Sequence, residues 1–151
     1  MNTWLYLTLR LLHLLAMAVW IGGATVAPLG LRRSLAAGPE HAKLMVARLQ
    51  AATKLIVPAG LATLLSGMGL IVAAGGPAHV SWRILVGAGL TLCIFVLGAT
   101  LGSPAMNRLE KHLTGGGDMG TASALAERFL KVINVEMAIR LVVLLLMVFR
   151  F

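Results

Sequence analysis

The chain has 151 residues, of which 59% are hydrophobic and 12% charged, with a mean hydropathy of +0.92. Ordinary soluble domains carry about 25% charged residues, so this composition excludes a soluble globular domain and predicts an integral membrane protein. The formal net charge of +8, from 13 Lys and Arg against 5 Asp and Glu, would suggest nucleic acid in a soluble chain, but here the basic residues flank apolar runs and no nucleic-acid partner is expected.

A membrane crossing needs roughly 20 apolar residues, and the pattern predicts an all-α, four-helix bundle: a single transmembrane domain over 1–151 with helices at about 3–27, 45–74, 82–104 and 124–149. The first helix ends where Pro28 and Gly30 disfavour its continuation. No Lys or Arg precedes its apolar run and Arg10 and His13 interrupt it, so it is expected to be retained rather than cleaved as a signal peptide. Along it, Arg10, His13, Met17, Trp20 and Ala24 recur every three or four residues and form one stripe on a Leu-rich rod. A charge near the middle of a membrane helix costs about 2.5 to 3.5 kcal/mol on insertion scales and usually marks a bundle interior or a functional pathway. The stripe is the first place to look for function.

Next come Arg32, Arg33, Lys43 and Arg48, opposed by Glu40. With Arg108 and Lys111 further on, they predict two cytoplasmic loops, an inner-membrane location and both termini on the outer side. The second helix grows from the amphipathic stretch 41–54. Pro58 predicts a kink, and Gly60, Ser66, Gly67 and Gly69 let another helix approach closely. A short outer link, AAGGPAHVS, carries His79. The third helix opens with Trp82 and Arg83, contains the lone Cys93 as a packing residue, and holds the small-residue contact Gly98-x-x-x-Gly102. The stretch RLEKHLTGGGDMGTAS reads as the most flexible loop, with Thr121 or Ser123 capping the last helix. That helix carries Glu136 and Arg140 at i, i+4, the favourable order for an intrahelical ion pair, and Arg150 at its outer boundary.

At about 1.5 Å per residue, His13 and Arg140 each lie roughly 14 Å from the outer ends of their helices. With Arg10 and Arg83 nearer the outer surface, three of the four helices place ionisable groups in the outer half. One reading has Arg10 and Arg83 snorkelling to headgroups while Glu136 and Arg140 form a self-contained pair. The other has them converging on an anionic ligand. A neutral imidazole is the commonest metal ligand, and flanking Arg residues suit haem, with its anionic propionates. Met17 is a soft ligand one turn from His13, which makes copper the alternative. His79 is the candidate second metal ligand, while His41 and His112 fall in solvated loops. G-x-S-x-G, HExxH and Walker motifs are missing.

The run LRLLHLLAMAVWIGG resembles the first helix of two groups of bacterial membrane proteins, the HemJ-type protoporphyrinogen oxidases and the CopD-like copper-resistance proteins. FLKVINVEMAIRLVVLLLMVFRF and the start SWRIL resemble the last and third helices of the HemJ type. The resemblance implies haem ligation by His13 and puts Arg83 where the HemJ pattern has a functionally important Lys. An always-protonated Arg holds a carboxylate but does not transfer protons as Lys does. TVAPLGLRRS replaces the HemJ ending of the first helix, and Val135 separates Asn134 from Glu136, as in a divergent relative.

The expected function is therefore that of a haem b-binding redox protein, engaged in electron transfer or porphyrinogen oxidation. His13 ligates iron, Arg10, Arg83 and Arg140 hold anionic groups, Trp20 and Gly22, Gly23, Gly60 and Gly67 shape the slot, and the second iron position is filled by His79, by Met17 of another subunit or by substrate. In an oxidoreductase of this kind Glu136 and Arg83 are the catalytic positions. The alternatives are a CopD-like copper-handling protein and a non-catalytic membrane scaffold or assembly subunit. Lipid, haem or porphyrin, a second copy and a redox partner are the partners expected.

Overall fold

The computed structural model describes residues 3–148, which are helical apart from short turns and include no strand. Helix α1 spans Thr3–Val26, α2 Leu31–Ala36 and α3 Pro39–Ala73. Helix α4, Trp82–Leu97, passes through one π-helical turn at Gly98–Gly102 into α5, Ser103–Thr114; α6 runs from Met119 to Val148. Among the described residues the result is four long helical rods, of which three, Thr3–Ala36, Pro39–Ala73 and Trp82–Thr114, are long and apolar enough to cross a membrane. Four crossings were expected. The fourth rod, α6, carries Glu127, Arg128, Lys131, Glu136 and Arg140, and these charges interrupt its apolar run. Its expected end at Phe149 and the boundary residue Arg150 lie outside the described residues.

Three boundaries differ from expectation, each for a local reason. Helix α3 starts at Pro39 rather than near residue 45 because Pro occupies its first turn and Glu40 follows it, a combination that favours a helix N-terminus. The stretch expected as a flexible loop is mostly helical, shared between the end of α5, where Leu109 and Leu113 lie on one buried face with Met106, and the start of α6; only residues 115–118 turn the chain. Helix α6 starts at Met119 because Asp118, not Thr121 or Ser123, is the cap: its Oδ1 accepts the Thr121 N–H at 2.8 Å. Pro58 sits inside α3 without ending it.

Helix α1 packs mainly on α3, and α4 mainly on α6. At one end, called here the basic end, α2, α5 and the first turns of α3 and α6 bury a continuous apolar core that includes Leu31, Val46, Leu49, Leu109, Ala126 and Phe129. Glu127 and Arg32 clamp that end on its surface through paired contacts of 2.7 and 2.9 Å. Towards the other end, the terminal end, where Thr3, the 74–81 link and Val148 lie, the large apolar side chains face outwards. Leu11, Leu15, Leu55, Leu65, Leu92 and Leu145 are each more than half exposed. The two helix pairs do not close completely, and two cavities remain between them.

Candidate functional site: two stacked cavities

The terminal-end cavity, about 470 Å³, is lined by Tyr6, Arg10, His13 and Met17 of α1, Gly67 and Met68 of α3, Thr91 of α4, and Met147 and Val148 of α6. Three members of the α1 stripe thus reach one volume. Within it His13 is fixed by α3: its Nδ1 lies 2.9 Å from the Thr63 carbonyl oxygen and 3.2 Å from Ser66 Oγ. A carbonyl only accepts, so Nδ1 carries the hydrogen and donates it, which leaves the lone pair on Nε2. Ser66 in turn donates to Ala62 O. Gly67 makes the close approach feasible, because a Cβ there would stand 3.1 Å from His13 Cε1.

The other expected ligands fall elsewhere. His79 sits in a 3₁₀ turn, Pro77–His79, exposed, with Nδ1 3.0 Å from Gly75 O, and does not line the cavity. The positive φ angles of Gly75 and Gly76 fold the link back on itself and seat the imidazole there. Arg83 is half-buried beside Trp82, its guanidinium carbon 5.8 Å from the ring centroid, and lines neither cavity. His41 is exposed. His112 Nε2 donates to Asp118 O at 2.9 Å.

The basic-end cavity, about 500 Å³, lies deeper along α1 and is lined by Trp20, Ile56, Val57, Phe95, Gly98, Gly102, Phe129, Glu136 and Arg140, with Lys54 and Asn107 among its polar members. Its centre is an ion pair. Arg140 Nη2 donates to Glu136 Oε2 at 2.8 Å, with each residue only 4% exposed. The guanidinium carbon stands 5.0 Å from the centroid of Trp20, a cation–π distance, and Trp20 stacks on Phe95 with centroids 6.0 Å apart and planes 4° apart. Glycine again makes the room. A Cβ at Gly60 would lie 2.7 Å from Trp20 Nε1 and 2.9 Å from Phe95 Cζ, and one at Gly98 would lie 3.2 Å from Glu136 Oε1. The Gly98-x-x-x-Gly102 pair, expected as a helix–helix contact, therefore accommodates a carboxylate, and the π-turn falls on those same residues.

Arg140 and His13 consequently serve different volumes, which corrects the expectation that they converge. Helix side chains lean towards the N-terminus of their own helix. Helix α1 runs from the terminal end to the basic end and α6 runs back, so at comparable backbone depth the imidazole leans one way and the guanidinium the other. Arg140 meets Trp20, seven residues or roughly 10 Å beyond His13. Phe95 was missed in the sequence, where it is one apolar residue in an apolar helix with no signal to distinguish it.

Among the described residues no three His, Cys, Asp or Glu side chains form a group that could hold a metal ion. Comparison of the chain with protein-family models, with curated proteins and with solved structures gives no match.

Proposed function

We propose that this is an integral membrane haem b protein that handles electrons, with His13 as the iron ligand in the terminal-end cavity. The observation that carries the reading is the His13 Nδ1–H bond to the Thr63 carbonyl. Metal-ligating histidines characteristically donate their second ring N–H to a carbonyl or carboxylate, which fixes the tautomer and raises the basicity of the ligating nitrogen. The donor set suits a group that brings most of its own ligands, since one imidazole suffices as the protein's axial contribution. The volume falls in the range of cofactor sites, and Arg10 lines it as a cation for a carboxylate.

Bound haem would supply a one-electron couple. His13 would hold and orient it, Arg10 would pair with a propionate, and the apolar wall from α3 and α6 would exclude water. Electron transfer is favoured over porphyrinogen oxidation, because Glu136 and Arg83, the residues expected to be catalytic, do not line this cavity. The membrane setting is supported by the three long apolar helices and by the exposed Leu141, Val142, Leu145 and Val148 of α6, a surface far too apolar for a water-facing monomer. With Arg32, Arg33, Arg48, Arg108 and Lys111 exposed at the basic end, the positive-inside rule makes that end cytoplasmic and the His13 cavity outward-facing.

A visible spectrum of the detergent-purified protein tests this. A Soret band that disappears in His13→Ala is the expected result; a colourless protein, or a band that survives the substitution, refutes it. One observation favours copper as a second reading: Met17, Met68 and Met147 line the cavity beside His13, and thioethers with imidazole suit Cu(I). Copper by elemental analysis without a Soret band would decide for it.

A further inference from the structure

The basic-end cavity is separate from the one that His13 lines. Arg140 and Glu136 are paired through one nitrogen and one oxygen, yet Arg140 Nε and Nη1 are shielded from solvent and have no hydrogen-bond partner. Buried donors are almost always satisfied, and exceptions point to an absent partner. The partner required is an acceptor rather than a net charge, because Glu136 already neutralises the guanidinium and an added anion would have to be desolvated beside its carboxylate. Glu136 Oε1, next to Gly98 and Gly102, is in turn an acceptor that suits a hydroxyl donor. Phe95, half-buried and stacked on Trp20, adds an aromatic ring to the lining of this cavity.

A planar, apolar, uncharged molecule with carbonyl oxygens that become hydroxyls satisfies all three demands. We propose that the basic-end cavity binds a membrane-soluble quinone or its quinol, with Arg140 donating to a ring oxygen and Glu136 accepting from a ring hydroxyl. Such a ligand is matched by the apolar side chains Ile56 and Val57, the latter 42% exposed on the bundle surface, through which a lipid-dissolved molecule would enter.

Trp20 is itself the reporter, since the other two indoles, Trp4 and Trp82, are 76% and 64% exposed and can be replaced by Phe. In full-length Trp4→Phe/Trp82→Phe protein in detergent, titration with a short-chain benzoquinone should quench Trp20 fluorescence saturably. The dissociation constant should rise about tenfold or more in Glu136→Gln/Arg140→Gln, which removes both charges together, and in Val57→Phe, which fills the cavity without touching the ion pair. It should stay unchanged in His13→Ala. Linear, unsaturable quenching in the parent protein overturns the proposal. So does saturable quenching unmoved by Val57→Phe, which decides alone if the double variant fails to fold, or binding lost in His13→Ala, which would assign the quinone to the other cavity. Haem bound by His13 would lower the starting Trp20 emission but not set the quinone dissociation constant, so failure here and failure of the haem reading are told apart.

Discussion

The two cavities are nearly equal in volume, about 470 and 500 Å³, and are built between the same helix pairs, but their chemistry is opposed. The terminal-end cavity offers a neutral imidazole held by a backbone carbonyl, with thioethers around it. The basic-end cavity offers a buried ion pair, two guanidinium nitrogens without a partner and stacked aromatic rings. In the first the polar group is satisfied on one side and free on the other, which suits a ligand that coordinates. In the second the polar groups are only partly satisfied by each other, which suits a ligand that hydrogen-bonds. Space alone does not define a site; the valence left open by the fold does.

The largest effect should separate the two on stability. Arg140→Ala strands the Glu136 carboxylate in an apolar interior, and breaking a buried pair from one side costs about 3–5 kcal/mol, enough to abolish a monodisperse species in detergent. Glu136→Gln/Arg140→Leu removes both charges and should recover most of that loss, as measured by thermal unfolding. His13→Ala removes a neutral, half-buried ring with one good hydrogen bond and should cost only about 1 kcal/mol. If Arg140→Ala were as mild as His13→Ala, the ion pair would not be the structural centre of the basic-end cavity.

The glycines sharpen the contrast at a smaller scale. Gly60→Ala forces a methyl to 2.7 Å from Trp20 Nε1, and Trp20 is 2% exposed and stacked, so it has little room to yield. Overpacking of this kind costs about 1–3 kcal/mol. Gly67→Ala brings a methyl to 3.1 Å from the His13 ring, which can shift by a few tenths of an ångström into its cavity. Its cost should be below about 1 kcal/mol, yet it should alter any visible spectrum that depends on His13. Equal melting temperatures for the two variants would show that Trp20 is as mobile as His13.

The helices were legible because hydrophobic periodicity and Gly and Pro punctuation are local, and the stripe Arg10, His13, Met17 could be read from spacing alone. Trp20 continues that stripe geometrically, but the next cavity claims it. What one sequence withholds is register between helices. Nothing in the residues around Glu136 says that they lie opposite Gly98 and Gly102, and depth counted along Cα atoms ignores that antiparallel side chains lean in opposite directions. The same gap placed Arg83 in the site, since its position after Trp82 says nothing about which face of α4 meets the bundle. The missed start of α6 is different in kind, because Asp118 was in plain view and Asp is as good a cap as Ser or Thr.

That cap yields the mildest test, and it contrasts the two ends in acid. Asp118 is exposed, and its carboxylate is held below the usual range chiefly by the Thr121 backbone N–H it accepts and also by Thr121's side chain and nearby His112. A carboxyl whose folded value is depressed contributes stability that is complete above its unfolded value, about 3.9, and is lost as pH falls through the folded value. Hydrogen exchange at the Thr121 amide should therefore accelerate below about pH 4, relative to its intrinsic rate, while amides of α3 around Thr63 keep their protection. Asp118→Asn retains a good cap without the titration and should flatten the profile at Thr121. If the first turn of α6 loosened equally in both proteins, the acid sensitivity would belong to the basic-end core beneath it, where the surface pair of Arg32 with Glu127 is the other acid-labile contact joining α2 to α6.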